Sequence, residues 1–310
     1  MSSSLPPVIL VTAGSAGLGA EVARCFARNG FRVVLNYNSS ADKAKAVLET
    51  LRSSASEDER HICIQADLES RSDVQKLVAE AALTMGRLDV VFSNGGWTHP
   101  RNLSDIDDNV VEEEWDRAFN MNVKSHLWLF HAVKRHLAAS SGCFISTASV
   151  AGLGHNGSSL AYSVTKAAQL HMMKGLASMV GPDVRVNSVS PGFLQTDWGK
   201  RFSPEAQDAH KQKTKLKRFV ELEVFIKMKR NNVTWARVSS RLCMLTSPGG
   251  WKTDGSSFDD SIVQVKIQLI VGSVGSVGRA TCGSLRFSVA ELIGYLVFPA
   301  LMSVGPTDTS

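Results

Sequence analysis

The chain has 310 residues, room for one large α/β domain or two smaller ones, and 44% of them are apolar, as in an ordinary globular protein. Its formal charge is +5, but 9 basic and 5 acidic residues fall between positions 226 and 310, so the first 225 are nearly neutral. A neutral front half without interleaved aromatic and basic residues argues against a nucleic-acid binder, and apolar runs such as Ile267 to Val271 or Leu292 to Leu301 are too short or too interrupted for a bilayer of about 30 Å.

The opening Met1 to Pro7 has neither a basic nor an apolar signal region, so no signal peptide is expected. The cysteines (Cys25, Cys63, Cys143, Cys243, Cys282) are odd in number and scattered, with no CxxC pair and no histidine at metal-ligand spacing. Reduced thiols, a cytoplasmic setting and no metal are expected.

Short β-rich runs alternate with longer helical periodicities. Strands are predicted at Val8 to Val11, Arg32 to Leu35, His61 to Gln65, Val90 to Ser93, Gly142 to Ser146 and Arg185 to Val189. Helices are predicted at Gly19 to Asn29, Ala41 to Ser53, Ser70 to Gly86, Glu112 to Ala139 and Ala161 to Gly181. This rhythm implies βαβ units and a doubly wound parallel sheet of Rossmann type, with ligands at the carboxyl ends of the strands.

The first strand leads into Thr12-Ala13-Gly14-Ser15-Ala16-Gly17-Leu18-Gly19 and then a helix. Glycines allow a tight turn and close approach to a pyrophosphate, and the helix start offers free N–H groups to it. Ala13 stands at a position where a positive φ would cost about 1 kcal/mol, unless Gly14 takes the strain. The second strand ends in Asn36-Tyr37-Asn38-Ser39-Ser40, without the carboxylate that would hold a ribose 2′-OH. Asn38, Ser39 and Ser40 could donate to a 2′-phosphate, which favours NADP(H) over NAD(H); read without context, the segment is also simply a polar turn.

Tyr162 and Lys166 are four residues apart, hence on one helix face. A tyrosine with a pKa of about 10 is a poor base at neutral pH, and a nearby cation favours its phenolate, so the pair suits proton exchange with an alkoxide or alcohol. The preceding strand delivers Ser149, with Ser146 as the alternative, to hydrogen-bond a carbonyl oxygen.

These residues together resemble the short-chain dehydrogenase/reductase family, ketoacyl-reductase-like members above all. The Thr12 to Gly19 loop resembles its glycine signature with Ala13 departing at the first glycine. Asp67, with Leu68 beside it, resembles the adenine-contacting aspartate; Ser93-Asn94-Gly95-Gly96 resembles the Asn-Asn-Ala-Gly motif; Pro191-Gly192 resembles the turn that meets the nicotinamide carboxamide, with Thr196 near the phosphates. The resemblance implies that Asn122 orders a relay water through its backbone, that Ser149, Tyr162 and Lys166 are catalytic, and that Lys166 also holds the nicotinamide ribose. It implies a small carbonyl or alcohol substrate, a homodimer or homotetramer, and a flap over the substrate from Leu194 to about Phe219. His99, His126, His155 and His171 are expected to be surface or packed histidines, and Lys211 to Arg218 a solvated helix face.

The pattern is expected to hold over residues 1–223. Beyond it the rhythm stops, apart from two β-like pieces, Ile262 to Ile270 and Leu292 to Phe298. Ser288 to Val297 resembles the family's late helix, as though Val224 to Phe287 had been inserted in frame ahead of it by a gene-model error. The final strand is expected to be missing or replaced, and a nucleotide-binding protein without catalysis is the alternative function.

Overall fold

The structure, a computed structural model, describes residues 5–53, 61–214 and 217–219. The segment 224–310, with the expected late pieces and Cys243 and Cys282, lies outside the described residues.

Six parallel strands form one sheet: β1 (Val8–Val11), β2 (Arg32–Tyr37), β3 (Ile62–Gln65), β4 (Val90–Ser93), β5 (Cys143–Thr147) and β6 (Arg185–Val189), in the order β3-β2-β1-β4-β5-β6. That is the doubly wound order of dinucleotide-binding folds. Registers are regular, as in Leu10 opposite Val34 on one side and Val91 on the other. β1 and β4 are buried at every position, which is why they read as continuous apolar runs rather than alternating ones.

Alternate strand residues feed two cores, one on each face. Ile9, Val11, Val33, Leu35, Phe92 and Ile145 pack against α1 (Gly17–Ala27) and α2 (Ala41–Arg52). On the other face, Leu10, Val34, Val91 and Phe144 pack against α3 (Arg71–Met85), α5 (Ser125–Ala139) and α6 (Leu160–Val180). Two of these helices start or stop on a local device. Ser70 caps α3 by accepting from the Asp73 N–H, Ser159 caps α6 by accepting from the Tyr162 N–H, and Gly86 ends α3 at φ 72°.

One expectation fails. The continuous helix expected from Glu112 to Ala139 is two: α4 (Glu112–Phe119) and α5, joined by a π turn over Asn120–Lys124. The cause is tertiary. Asn122, inside the turn, accepts from the Trp97 N–H at 2.7 Å and donates to the Trp97 carbonyl at 2.9 Å and to Thr165 Oγ1 at 3.0 Å. These bonds tie the π turn to the loop after β4 and to α6, beside the cleft, as is common for π turns at functional sites. No helix among the described residues is long and apolar enough to cross a membrane.

Candidate active site

The sheet order reverses between β1 and β4, and a cleft of about 1030 Å³ opens at their carboxyl ends. The glycine loop forms one wall. Ala13 does carry the positive φ, at 48°, and Gly17 lies at 54°; Gly14 does not relieve Ala13. A Cβ on Gly19 would come within 2.5 Å of the Ala13 carbonyl oxygen, so that position requires glycine. Helix α1 begins without a side-chain cap and without an acidic residue in its first turn. Its unpaired N–H groups and positive end therefore face the cleft, beside Ser15, Gly17 and Leu18. That feature fits a pyrophosphate, so the residues present suit a nicotinamide dinucleotide.

The loop is fastened by residues behind it. Thr12 Oγ1 accepts from the Asn94 N–H at 2.9 Å, Asn94 donates to the Ala13 carbonyl at 3.4 Å, and Thr147 Oγ1 donates to Asn94 Oδ1 at 3.0 Å. Asn36 is fully inside: its Oδ1 accepts from the Ala13 N–H, and its Nδ2 donates to the carbonyls of Tyr37 and Ala66. It stitches the loop to the ends of β2 and β3. The following Asn38, Ser39 and Ser40 are exposed. Asp67 is half-buried and accepts from the Glu69 N–H at 2.9 Å, and Leu68 packs over Gly95.

The opposite wall is built from β5 and α6. Ser149, Tyr162 and Lys166 all line the cleft, with Asn94, Gly95, Pro191, Gly192 and Thr196. Ser149 sits in the turn after β5, where its Oγ accepts from the Ala151 N–H at 3.1 Å. Burial pushes the Tyr162 phenol above its ordinary range, and a hydrogen bond with Ser149 partly offsets this. The phenol is thus protonated at neutral pH. Lys166 Nζ lies 5.7 Å from the centre of the Tyr162 ring and donates to the Thr147 carbonyl and to Gln169 Oε1, both at 2.9 Å. Burial lowers the amine to about 7.

Thr12, Gly14, Gly19 and Asn122 support the site from behind it, and Asn38, Ser39, Asp67 and Leu68 lie at the ends of β2 and β3. Ser146, the alternative to Ser149, is fully buried and accepts from Gln169 Nε2 at 2.6 Å, so it does not reach the cleft. Of the four histidines named above, His126 is packed beside Gln169, as expected for a surface or packed residue, while His155 lines the cleft, which the sequence alone does not single out. The region expected as the flap supplies Trp198, Phe202 and His210 to the cleft, with Arg201 stacked over Trp198 at 5.3 Å, and Phe193 lines it just ahead of the flap. The loop after β4 reaches the cleft through Leu103 and Ser104. It is held by Arg101, which donates to Glu114 Oε2 and Asp108 Oδ1, both at 3.0 Å.

The short chain dehydrogenase family model matches residues 7–207. The chain belongs to the short-chain dehydrogenase family. It is 30% identical over 217 residues to the 3-oxoacyl-acyl-carrier-protein reductase of Staphylococcus epidermidis, covering 68% of this chain and 85% of that one. It is 34% identical over 191 residues to the cis-2,3-dihydrobiphenyl-2,3-diol dehydrogenase of a Pseudomonas strain, covering 61% and 67%. A short-chain dehydrogenase from Burkholderia cenocepacia, solved in complex with NADP, superposes with a TM-score of 0.64 at 29% identity, covering 71% of this chain and 87% of that one. The protein is therefore an oxidoreductase of this family, acting on CH–OH or C=O groups.

Proposed function

We propose that the protein uses NADP(H) to reduce a ketone or aldehyde to an alcohol, or runs the reverse, and that residues 1–223 hold the whole of that chemistry. The observation that carries this reading is the convergence of Ser149, Tyr162 and Lys166 on one wall of a cleft whose other wall is an uncapped helix start behind a glycine loop.

When bound, the nicotinamide supplies or accepts the hydride. The chain does the rest. Thr12, Gly14, Ser15, Gly17, Leu18 and Gly19 shape the pyrophosphate wall, Asp67 and Leu68 flank the adenine side, and Asn94, Gly95, Pro191, Gly192 and Thr196 border the nicotinamide side. Ser149 Oγ donates to the substrate oxygen. Tyr162, protonated beforehand, gives its proton to that oxygen as negative charge develops. The Lys166 ammonium favours the phenolate that remains, and the backbone of Asn122 holds a relay water that restores the proton. NADP(H) is favoured over NAD(H) because Asn38, Ser39 and Ser40 present donors and no carboxylate to a 2′-phosphate. The 3-oxoacyl reductase and the dihydrodiol dehydrogenase among its relatives make β-keto thioesters, and cyclic cis-diols in the oxidative direction, the first substrates to try.

The test is a fluorescence titration of the full chain with NADPH and NADH, followed by turnover on a ketone panel. Tighter NADPH binding with turnover supports the reading. Equal or tighter NADH binding overturns the cofactor preference, and tight binding without turnover on any ketone replaces the enzyme with a nucleotide-binding protein. Residues 224–287 are proposed to be an in-frame interruption, and one continuous coding exon through them in sequenced transcripts would refute that.

A further inference from the structure

Behind the cleft lies a buried chain of polar side chains that the proposed chemistry does not use. Lys166 Nζ donates to Gln169 Oε1 at 2.9 Å; Gln169 Nε2 reaches Ser146 Oγ at 2.6 Å and His126 Nε2 at 3.0 Å; His126 Nδ1 lies 2.6 Å from Ser93 Oγ. Gln169 and Ser146 are fully buried, and His126 and Ser93 nearly so. Leu170 and Met173 beside them on α6 belong to the apolar core, so an apolar residue at 169 would meet the packing requirement. A buried amide there needs another reason.

The directions of these bonds are fixed by chemistry. A protonated lysine has donors only, so Gln169 must turn its oxygen to Lys166 and its NH2 group to Ser146, to His126 and, more distantly at 3.3 Å, to the Thr147 carbonyl. His126 Nε2 must then accept, which places the ring proton on Nδ1 and makes it a donor to Ser93 Oγ. The ring is held neutral: burial, and secondarily the charge of Lys166, bring it to about 3, a bond with the Gly95 backbone acting weakly the other way. Every member has one orientation, and the order ends on the Lys166 amine.

We propose that Gln169, braced by His126, Ser146 and Ser93, is a positioning residue that keeps the Lys166 amine charged and fixed beside Tyr162. The inference rests on the role assigned to Lys166 above. Two of the three N–H bonds of the amine are committed, to Gln169 and to the Thr147 carbonyl, and the third is left for the cleft. The titratable groups facing the amine are Tyr162 on its own helix and neutral His126 from α5; burial is opposed by no carboxylate among the described residues. The Gln169 oxygen is the side-chain acceptor that favours the charged form.

The test compares the wild type with Gln169→Met, close in shape but without the acceptor, and Gln169→Glu, which adds a charge. The Lys166 amine is followed by NMR titration of lysines labelled with carbon-13 at Cε, the resonance being assigned by its loss in Lys166→Arg, alongside the pH profiles of kcat and KM. The midpoint is expected to fall by about one unit in Gln169→Met and to rise by at least as much in Gln169→Glu. At neutral pH kcat should drop about fivefold in Gln169→Met, as the charged fraction of an amine at about 7 falls by one unit, with KM for the ketone little changed. Unmoved midpoints in both variants, with a lowered melting temperature, would make Gln169 a packing residue and overturn the proposal. If either variant fails to fold, the other still gives a signed shift. Because the titration does not need turnover, shifted midpoints in a protein that reduces no ketone would uphold the Gln169–Lys166 coupling and refute the enzymatic reading.

Discussion

The two walls of the cleft are made by different means. The glycine-loop wall is a backbone surface: main-chain groups, a helix start, and an alanine at φ 48° where a side chain is a burden. The α6 wall is a side-chain surface, on which Ser149 accepts from the Ala151 N–H and Lys166 donates to the buried Gln169. On the first wall the side chains of Thr12, Asn36 and Asn94 act from behind to hold the backbone; on the second the side chains face the cleft themselves.

The largest effect should therefore come from the second wall. Tyr162→Phe removes one oxygen, and kcat for ketone reduction should fall about a hundred- to ten-thousand-fold, while NADPH affinity in the same fluorescence titration stays nearly unchanged. A joint loss of both would show that the phenol shapes the nucleotide side too, and would blur the contrast between the walls.

An intermediate effect concerns acid stability. His126 sits at about 3 in the folded protein against an ordinary value of 6.5, so between those pH values the unfolded chain binds more protons than the folded one. Stability contributed by keeping His126 neutral is present above about pH 6.5 and is lost as pH falls towards 3, by up to a few kcal/mol. His126→Asn should flatten the difference in denaturant midpoint between pH 7 and pH 4 relative to the wild type. Equal slopes in the two proteins would mean that the carboxylates alone set the acid limit.

The smallest effect belongs to the backbone wall. Ala13→Gly relieves the left-handed strain, offset in part by the entropy of the new glycine, for a net gain of up to about 1 kcal/mol. The melting temperature should rise by about 2 °C with NADPH affinity unchanged. A fall in melting temperature would show that the Ala13 methyl contributes packing the φ value does not reveal.

Much of this was readable in advance, and for a physical reason. Strands buried on both faces are runs of largely apolar residues, which marks β1 and β4 at their observed bounds; β6 also matches, although Arg185, Asn187 and Ser188 interrupt its apolar run, and the other strands and most helices agree within two or three residues. The glycine loop, Ser149, Tyr162 and Lys166 were legible because each needs a particular residue type at a particular spacing. What escaped depends on contacts between distant segments. The break at Asn120–Lys124 has neither proline nor glycine to mark it and follows from the bonds of Asn122 to Trp97 and Thr165. Gln169 is a polar residue between Ala168 and Leu170, and His126 follows Lys124 and Ser125 with nothing to distinguish it from a surface residue; the one available signal is that Gln169 shares a helix face with Lys166. Asn36 was grouped with the polar turn, although it is the last fully buried residue before the strand emerges.

That placement of Asn36 bears on how readily the protein can change its taste for nucleotides. Because the structural stitch ends at residue 36 and its bonds run inward to Ala13 and Ala66, the exposed triplet 38–40 carries none of the side chains that close the loop. Acidic or basic residues placed at 38–40 would leave the inward bonds of Asn36 to Ala13 and Ala66 in place, so the surface next to the loop can change its charge without loosening the loop itself.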